Sequence, residues 1–435
     1  MKSIKQLLIF VFLFSLFATS AQDTQEKKDK LGRSPADTVR ISTFRDNHLN
    51  LTGEELADAS FPKSWPLFGT KARLAFGGYV KLDYIQDFNG VHNDRFELSS
   101  YNVHVDNSGV VKEQGYMNLF ARESRFNFDF RTLTSKGKPL RIFLEMDFWN
   151  LDRDAFHNTP RLRHFYAVYN NWLVGRSWGT LTDGYSVPNS IDFQAGDAIT
   201  GARRAQVRYE RKLNKTMKWA VAAEMLEFPD IASNGFVEDT IPYSFNGQNS
   251  MLLPAFVARI THKTKLGGRM MFGGSIYQLR WDGLESGPNV SALGWGLAFS
   301  GRQNFTKKIS LQWNLSGGDG WSTNIIAFTG YGQSAIISPQ GELEPLFAWS
   351  LSGAFIYSFS DVLVMNVMGA WLDLEESPYK DVNSYKSGAT GHVNLIYSPV
   401  KSVNVGIEYQ IAQRVNIDNK SGIANRIQVM GKYIF

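Results

Sequence analysis

The chain of 435 residues contains no cysteine. No disulfide can stabilise it, and no thiol follows the leader to carry a lipid anchor, so an exported form must rest on extensive hydrogen-bonded structure. Long apolar runs are missing too. The one substantial run is Leu7 to Phe17, and no later stretch reaches the 18 or so apolar residues a spanning helix needs. A helical membrane bundle is thereby excluded. No run of Lys or Arg occurs and the formal charge is only +5, which argues against nucleic acid as a partner. HExxH, CxxC, P-loop and nucleophile-elbow patterns are likewise absent.

What is present begins with MKSIKQLLIFVFLFSLFATSAQ. Lys2 and Lys5 precede the apolar run, and Thr19-Ser20-Ala21 offers small residues for cleavage, so residues 1–21 read as a secretory signal peptide. Its removal takes two lysines from the +5 and leaves +3. Residues 22–70 carry no two-residue period. Asp23 to Lys30 is charged without apolar anchors, and the segment is expected to be a largely disordered periplasmic extension. The remainder, 71–435, is the expected barrel, and the chain as a whole is rich in aromatics (14%) and in glycine (38 residues) but only ordinarily hydrophobic. That balance suits strands with one face on lipid and the other on water.

The period-two signal is clear at the end of the chain. In RIQVMGKYIF, Ile427, Val429, Gly431, Tyr433 and Phe435 share one face, against Arg426, Gln428, Met430 and Lys432. The same alternation sets Ile309, Leu311, Trp313 and Leu315 against Ser310, Gln312, Asn314 and Ser316, and Val403, Val405, Ile407 and Tyr409 against Asn404, Gly406, Glu408 and Gln410. Sixteen strand candidates follow from Lys71 onward: 71–87, 119–132, 139–149, 160–169, 172–178, 203–212, 217–226, 254–264, 268–281, 291–303, 308–317, 346–358, 361–373, 384–397, 401–411 and 424–435. Seven short connections interleave with eight long ones, the pattern expected when both ends of an antiparallel barrel lie on the periplasmic side. The expected fold is therefore all-β, a 16-stranded antiparallel transmembrane β-barrel. Its interior is too wide for side chains to fill, so a channel is expected. Phe148, Trp149, Trp172, Trp178, Trp219, Trp281 and Tyr397 are placed near strand ends as interfacial girdles.

Strand parity also assigns the lumen. Arg125, Asn127, Asp129 and Arg131 point inward from one strand, with Ser124 and three phenylalanines outward. Arg141, Glu145, Asp147, Arg161, Arg163, Arg204, Gln206, Arg208, Glu210 and Arg259 follow from later strands, and Lys81 and Asp83 from the first. Eight arginines face four acids, and adding Lys81 and Asp83 keeps the surplus basic. A guanidinium fork suits carboxylate or phosphate, so Lys81, Arg125, Arg131, Arg161, Arg163, Arg204, Arg208 and Arg259 are the candidate solute-binding residues. Cross-strand ion pairing among Arg125, Glu145, Asp147, Arg161 and Arg163 is the competing structural explanation. The third long loop, GTLTDGYSVPNSIDFQAGDAITGA (179–202), is the candidate constriction, with Asp183, Tyr185, Asp192 and Asp197. Its acids lack the spacing of an EF-type calcium loop, so no metal is expected, nor any cofactor. A barrel hydrolase would need a positioned His and Ser. His104 and His157 lie in loops, His164 and His262 fall on outward faces, and His392 alone has inward polar company, where it reads as a lumen residue.

GGYVKLDYIQDF (77–88), ARESRFNFDF (121–130), LEMDFW (144–149), RLRHFYAVYNNWLVGRSWGTLTD (161–183), PNSIDF (188–193) and RRAQVRYE (203–210) resemble the DcaP-like outer-membrane porins. The resemblance covers the first half of the barrel, the second half matching as generic barrel strands. It implies a trimeric diffusion channel for small anions such as dicarboxylates, lined by Arg125, Arg161, Arg163, Arg204 and Arg208. A phosphate-type anion porin is the nearest alternative, and a barrel enzyme or an adhesin working through its outer loops the more distant ones. The expected surroundings are outer-membrane lipid of a Gram-negative cell, small anionic solutes, two further copies of the chain and, during biogenesis, the outer-membrane assembly machinery.

Overall fold

The computed structural model describes residues 64–67, 72–91, 97–105, 115–149, 159–226, 231–237, 241–285 and 287–435. The predicted signal peptide, most of the predicted extension and His157 lie outside these residues. Sixteen antiparallel strands close into a barrel. They are β1 Arg73–Asn89, β2 in two pieces, Tyr116–Phe120 and Arg125–Leu133, β3 Pro139–Asp147, β4 Arg161–Tyr169, β5 Trp172–Trp178, β6 Arg203–Lys212, β7 Met217–Glu224, β8 Ala255–Lys263, β9 Arg269–Gly283, β10 Val290–Asn304, β11 Ile309–Asp319, β12 Phe347–Ser358, β13 Leu363–Leu374, β14 Tyr385–Val400, β15 Val403–Asn416 and β16 Ser421–Ile434. Each pairs with its sequence neighbours, and β16 pairs with β1 from Tyr79↔Ile434 to Asn89↔Asn425. Closure of this kind leaves no edge, so every wall peptide finds a partner without water, which is the condition for crossing hydrocarbon. Among the described residues no helix is long and apolar enough to cross a membrane.

Parity explains the wall. On β15, Val405, Ile407, Tyr409 and Ile411 are exposed, whereas Asn404, Glu408 and Gln410 are buried. β16 repeats this, with Ile423 and Tyr433 outside and Arg426, Gln428 and Met430 within. An arginine on the lipid face at the bilayer midplane would cost about 2–4 kcal/mol, so a one-residue slip of such strands is strongly disfavoured.

Two local breaks depart from simple alternation. β2 is interrupted between Phe120 and Arg125 by a turn in which the Ser124 amide donates to the Ala121 carbonyl (3.0 Å). The Ser124 hydroxyl accepts from the Lys81 amide (2.9 Å) and patches the wall there, so Ser124 does not face lipid as parity predicted. The same turn delivers Glu123 to the interior, where it pairs with Lys81. On β4, the register passes from Glu145↔His164 to Met146↔Leu162, leaving Arg163 as an extra residue. This bulge turns both Arg163 and His164 inward. His164, expected on the outer face, is buried for that reason.

The interior is not empty at its extracellular end. The connection between β11 and β12 was expected as an ordinary external loop. It folds inward instead, burying Trp321, Ile325, Ala327, Phe328, Ala335, Ile336 and Ile337 against Tyr277, Leu279, Leu346, Leu372 and Tyr385 of the wall. Trp281 joins this core, and Trp149 and Trp178 are also buried, so three of the predicted girdle tryptophans are interior. Trp172 and Tyr397 remain exposed on the outer face.

Candidate functional site

The first-half charges sit in adjacent inward positions of β2, β3 and β4. Arg125 lies opposite Asp147, which lies opposite Arg161. Asp147 accepts two bonds from Arg161 (2.9 and 2.7 Å) and one from Arg163 (2.6 Å). Glu145 takes Arg163 at 2.7 Å and Arg125 at 3.4 Å. Lower in the wall, Asp129 is clamped by Arg141 (2.9 and 2.8 Å) and by Arg131 (3.2 and 2.8 Å). Lys81 meets Asp83 and Glu123. Arg161 on Asp147, and Arg141 and Arg131 on Asp129, are fork-to-carboxylate pairs of the strong, orienting kind. Much of the predicted ladder is therefore balanced by carboxylates two positions or one strand away.

β6 to β8 differ. Arg204 reaches Asn324 Oδ1 at 2.9 Å and Glu224 at 3.4 Å, and Arg259 donates to Glu210 (2.6 Å) and to the Thr180 carbonyl (2.7 Å). Arg208 is fully buried between Leu173 of β5 and Ala222 of β7 in register. None of its three guanidinium nitrogens has a hydrogen-bond partner among the described residues. The Thr180 and Thr182 hydroxyls are in the same condition. Burial disfavours that charge and the nearby Glu210 and Glu224 carboxylates offset the cost only in part, so a ligand oxyanion there would be favoured.

Residues 179–202 cross the interior and are held along their whole length. The Thr180 amide donates to Glu224 (2.6 Å), and the Tyr185 and Val187 carbonyls accept from Gln312 Nε2 (2.6 and 3.0 Å). At the far wall Glu408, fully buried, gathers the segment's tip. It accepts from Ser190 Oγ (2.7 Å), the Ile191 amide (2.9 Å), Asn394 Nδ2 (2.6 Å) and Gln410 Nε2 (2.9 Å). Lys81 Nζ and Asn394 Nδ2 add bonds to the Ile191 and Asn189 carbonyls (2.9 and 2.7 Å). Asp197 accepts both the amide and hydroxyl of Ser100 (2.7 and 2.6 Å), and Asp192 accepts the Leu98 amide (3.2 Å). Burial pushes the Asp192 carboxyl up to about 7 and raises Asp197 as well. Asp183 lies 3.8 Å from Arg269 and accepts from Ser300 (3.2 Å), and the Arg269 guanidinium sits over the Tyr185 ring. The segment's other end bridges to the inward-folded connection through Thr200↔Ile325.

His392 stands 3.0 Å from Glu408 through Nδ1, and Ser190 Oγ donates to Glu408 rather than to Nε2 of the imidazole. A nucleophilic triad needs the serine on the ring nitrogen opposite the one the carboxylate holds. His164 Nδ1 lies 3.3 Å from Ser177 Oγ, and its ring packs against Phe143, Tyr166 and Trp178. His262 is exposed on the outer face.

Glu123, Glu224 and Asn324 were not among the sequence candidates. Glu224 was open to parity, two residues beyond inward Ala222. Glu123 was hidden by the turn in β2, and Asn324 by its place in a long connection.

The profile of the DcaP outer membrane protein family matches residues 39–249. Among solved structures, the outer membrane channel DcaP of Acinetobacter baumannii superposes with a TM-score of 0.71 at 23% identity, covering 88% of this chain and 100% of that one. An anion-selective porin from Comamonas acidovorans gives 0.52 at 10% identity, over 84% of this chain and 100% of that one. The outer membrane protein OmpT of Vibrio cholerae gives 0.50 at 11%, over 85% and 99%. At these identities the structural likeness speaks for the fold. No curated protein sequence matches the chain.

Proposed function

We propose that this DcaP-like chain, an outer-membrane porin in its family match and fold, passes small hydrophilic solutes by passive diffusion and prefers anions, dicarboxylates among them. The observation that carries the preference is Arg208: a buried guanidinium with no hydrogen-bonded carboxylate on the described protein, beside Arg259 and beneath the segment 179–202. Arg125, Arg131, Arg161, Arg163 and Lys81 contribute less to net attraction, because Asp129, Glu145, Asp147, Asp83 and Glu123 answer them. Their paired forks act as orienting contacts for a passing carboxylate. Residues 179–202, with Asp183, Tyr185, Asp192 and Asp197, narrow the passage.

The working form in this reading is a homotrimer in the outer membrane, exported with a cleaved signal peptide and inserted by the outer-membrane assembly machinery. Residues 22–70 are a periplasmic extension. Catalysis forms no part of the reading, since Ser190, His392 and Glu408 are wired as a latch. Uptake by liposomes carrying the protein tests the proposal. Succinate and other dicarboxylates should enter faster than neutral sugars of similar size, and faster entry of phosphate would favour the phosphate-type variant. Equal rates for sugars and dicarboxylates would refute the anion preference.

A further inference from the structure

Arg208 sits in an inward row whose other members are apolar. The register runs from Val168 of β4 through Leu173 of β5, Arg208 of β6 and Ala222 of β7 to Val257 of β8, each directly opposite the next. All five are buried. A water-filled lumen is ordinarily lined by polar side chains, so four apolar neighbours around one guanidinium depart from the rule. Glu210 and Glu224 attract Arg208 without bonding to it. Their own bonds run to other groups: Glu210 holds Arg259 at 2.6 Å, and Glu224 takes the Thr180 amide at 2.6 Å and Arg204 at 3.4 Å. The crossing segment covers the row. Leu181 shares one buried cluster with Ala222 and Val257, and Val187 and Ile199 share another with Val168 and Leu173. Gly273 makes the room for Leu181, since a Cβ there would fall 2.6 Å from Leu181 Cδ2.

We infer that Arg208 and this row form a binding site for amphipathic monoanions, a single carboxylate carried on a short apolar body such as an n-alkanoate. The inference rests on the anion-porin reading and names the solute class that dwells at its central residue. The carboxylate takes the guanidinium nitrogens that have no hydrogen-bond partner among the described residues. The alkyl chain lies over Ala222 and Val257, in the volume that Leu181 fills at rest. A solute with a second carboxylate meets two obstacles there. Its second charge is buried among Val168, Leu173, Ala222 and Val257 without a partner, and Glu210 and Glu224 repel it. Dicarboxylates therefore cross in the general field of the lumen, whereas monoanions with apolar bodies pause at Arg208.

The test measures block of the KCl current through the full-length protein in a planar bilayer at about pH 8, where every probe is ionised. The probes are propionate, butyrate, pentanoate and hexanoate, with succinate as the four-carbon diacid. The half-blocking concentration should fall by about two- to fourfold per added methylene, and butyrate should block at about a tenth of the succinate concentration or less. Arg208→Met should abolish block by the series. Val257→Thr, close in shape to the parent, should flatten the chain-length dependence. Leu181→Ala, which vacates the volume, should tighten hexanoate block by about threefold or more. A flat series in the parent, tighter block by succinate than by butyrate, or a series undisturbed in all three variants overturns the site. Reversal potentials on the same membranes separate the two proposals: retained anion preference with a flat series removes this inference alone, and cation preference removes the porin's anion reading as well.

Discussion

Glu408 offers a direct handle on the segment that crosses the barrel. Its carboxylate receives two well-made bonds from that segment, Ser190 Oγ at 2.7 Å and the Ile191 amide at 2.9 Å, besides those from Asn394, Gln410 and His392. Hydrogen bonds to a charged group are worth about 1.5–3 kcal/mol each, so Glu408→Ala removes about 3–6 kcal/mol of anchoring from the tip. Bonds from Lys81 and Asn394 to the Ile191 and Asn189 carbonyls survive, so the segment loosens rather than leaves. At 1.4 kcal/mol per factor of ten, the detached population should rise by about 10² to 10⁴. The chain has no native cysteine, so Pro188→Cys supplies a unique reporter beside the tip. Its labelling by a small thiol reagent should accelerate by about 10² or more in the Glu408→Ala background. Single-channel conductance should rise, with added open-channel noise. Glu408→Gln, which keeps an acceptor, should fall between. Unchanged labelling and unchanged conductance in Glu408→Ala would refute the latch.

Other consequences are sharp as well. Arg141→Ala removes the better-buried of the two clamps on Asp129 and should destabilise the barrel by about 3 kcal/mol, read from urea unfolding in detergent micelles. Gly78→Ala should strain the β1–β2 seam by about 1–3 kcal/mol, because φ is +153° and a Cβ would lie 2.2 Å from the Arg125 carbonyl; loss of gel heat-modifiability at a lower temperature would report it. The Asp192 carboxyl has its folded value raised to about 7, so the neutral form fits the fold. Its stabilisation is complete below the unfolded value near 4 and is lost as pH rises through about 7. Channel noise should therefore grow between pH 5 and pH 8, and Asp192→Asn should flatten that dependence.

The wall was legible because period two is a strong signal. Every one of the sixteen strand candidates has its counterpart, and inward residues such as Arg125, Arg204, Glu408 and Arg426 fall where parity puts them. Parity failed where the backbone breaks its own rhythm, at the β2 turn that carries Glu123 inward and at the β4 bulge that buries His164. It is also silent on what answers each charge, since the Arg163–Asp147 and Arg426–Asp87 pairs depend on register between strands. The inward course of the β11–β12 connection left a trace that period counting passes over. Trp321, Ile325, Phe328, Ile336 and Ile337 are too apolar for a wetted external loop, and that composition was the available clue. Of the candidate solute contacts, the sequence offered eight equal cations; geometry distinguishes Arg208 from those already clamped by acids.

The central claim is that the passage favours anions and that Arg208 is a main source of the preference. The reversal potential of the purified protein in a planar bilayer under a KCl gradient tests it most directly. A potential of the sign set by chloride, moving toward zero in Arg208→Ser, is the predicted result. Potassium selectivity in the parent, or a potential indifferent to Arg208, would contradict it.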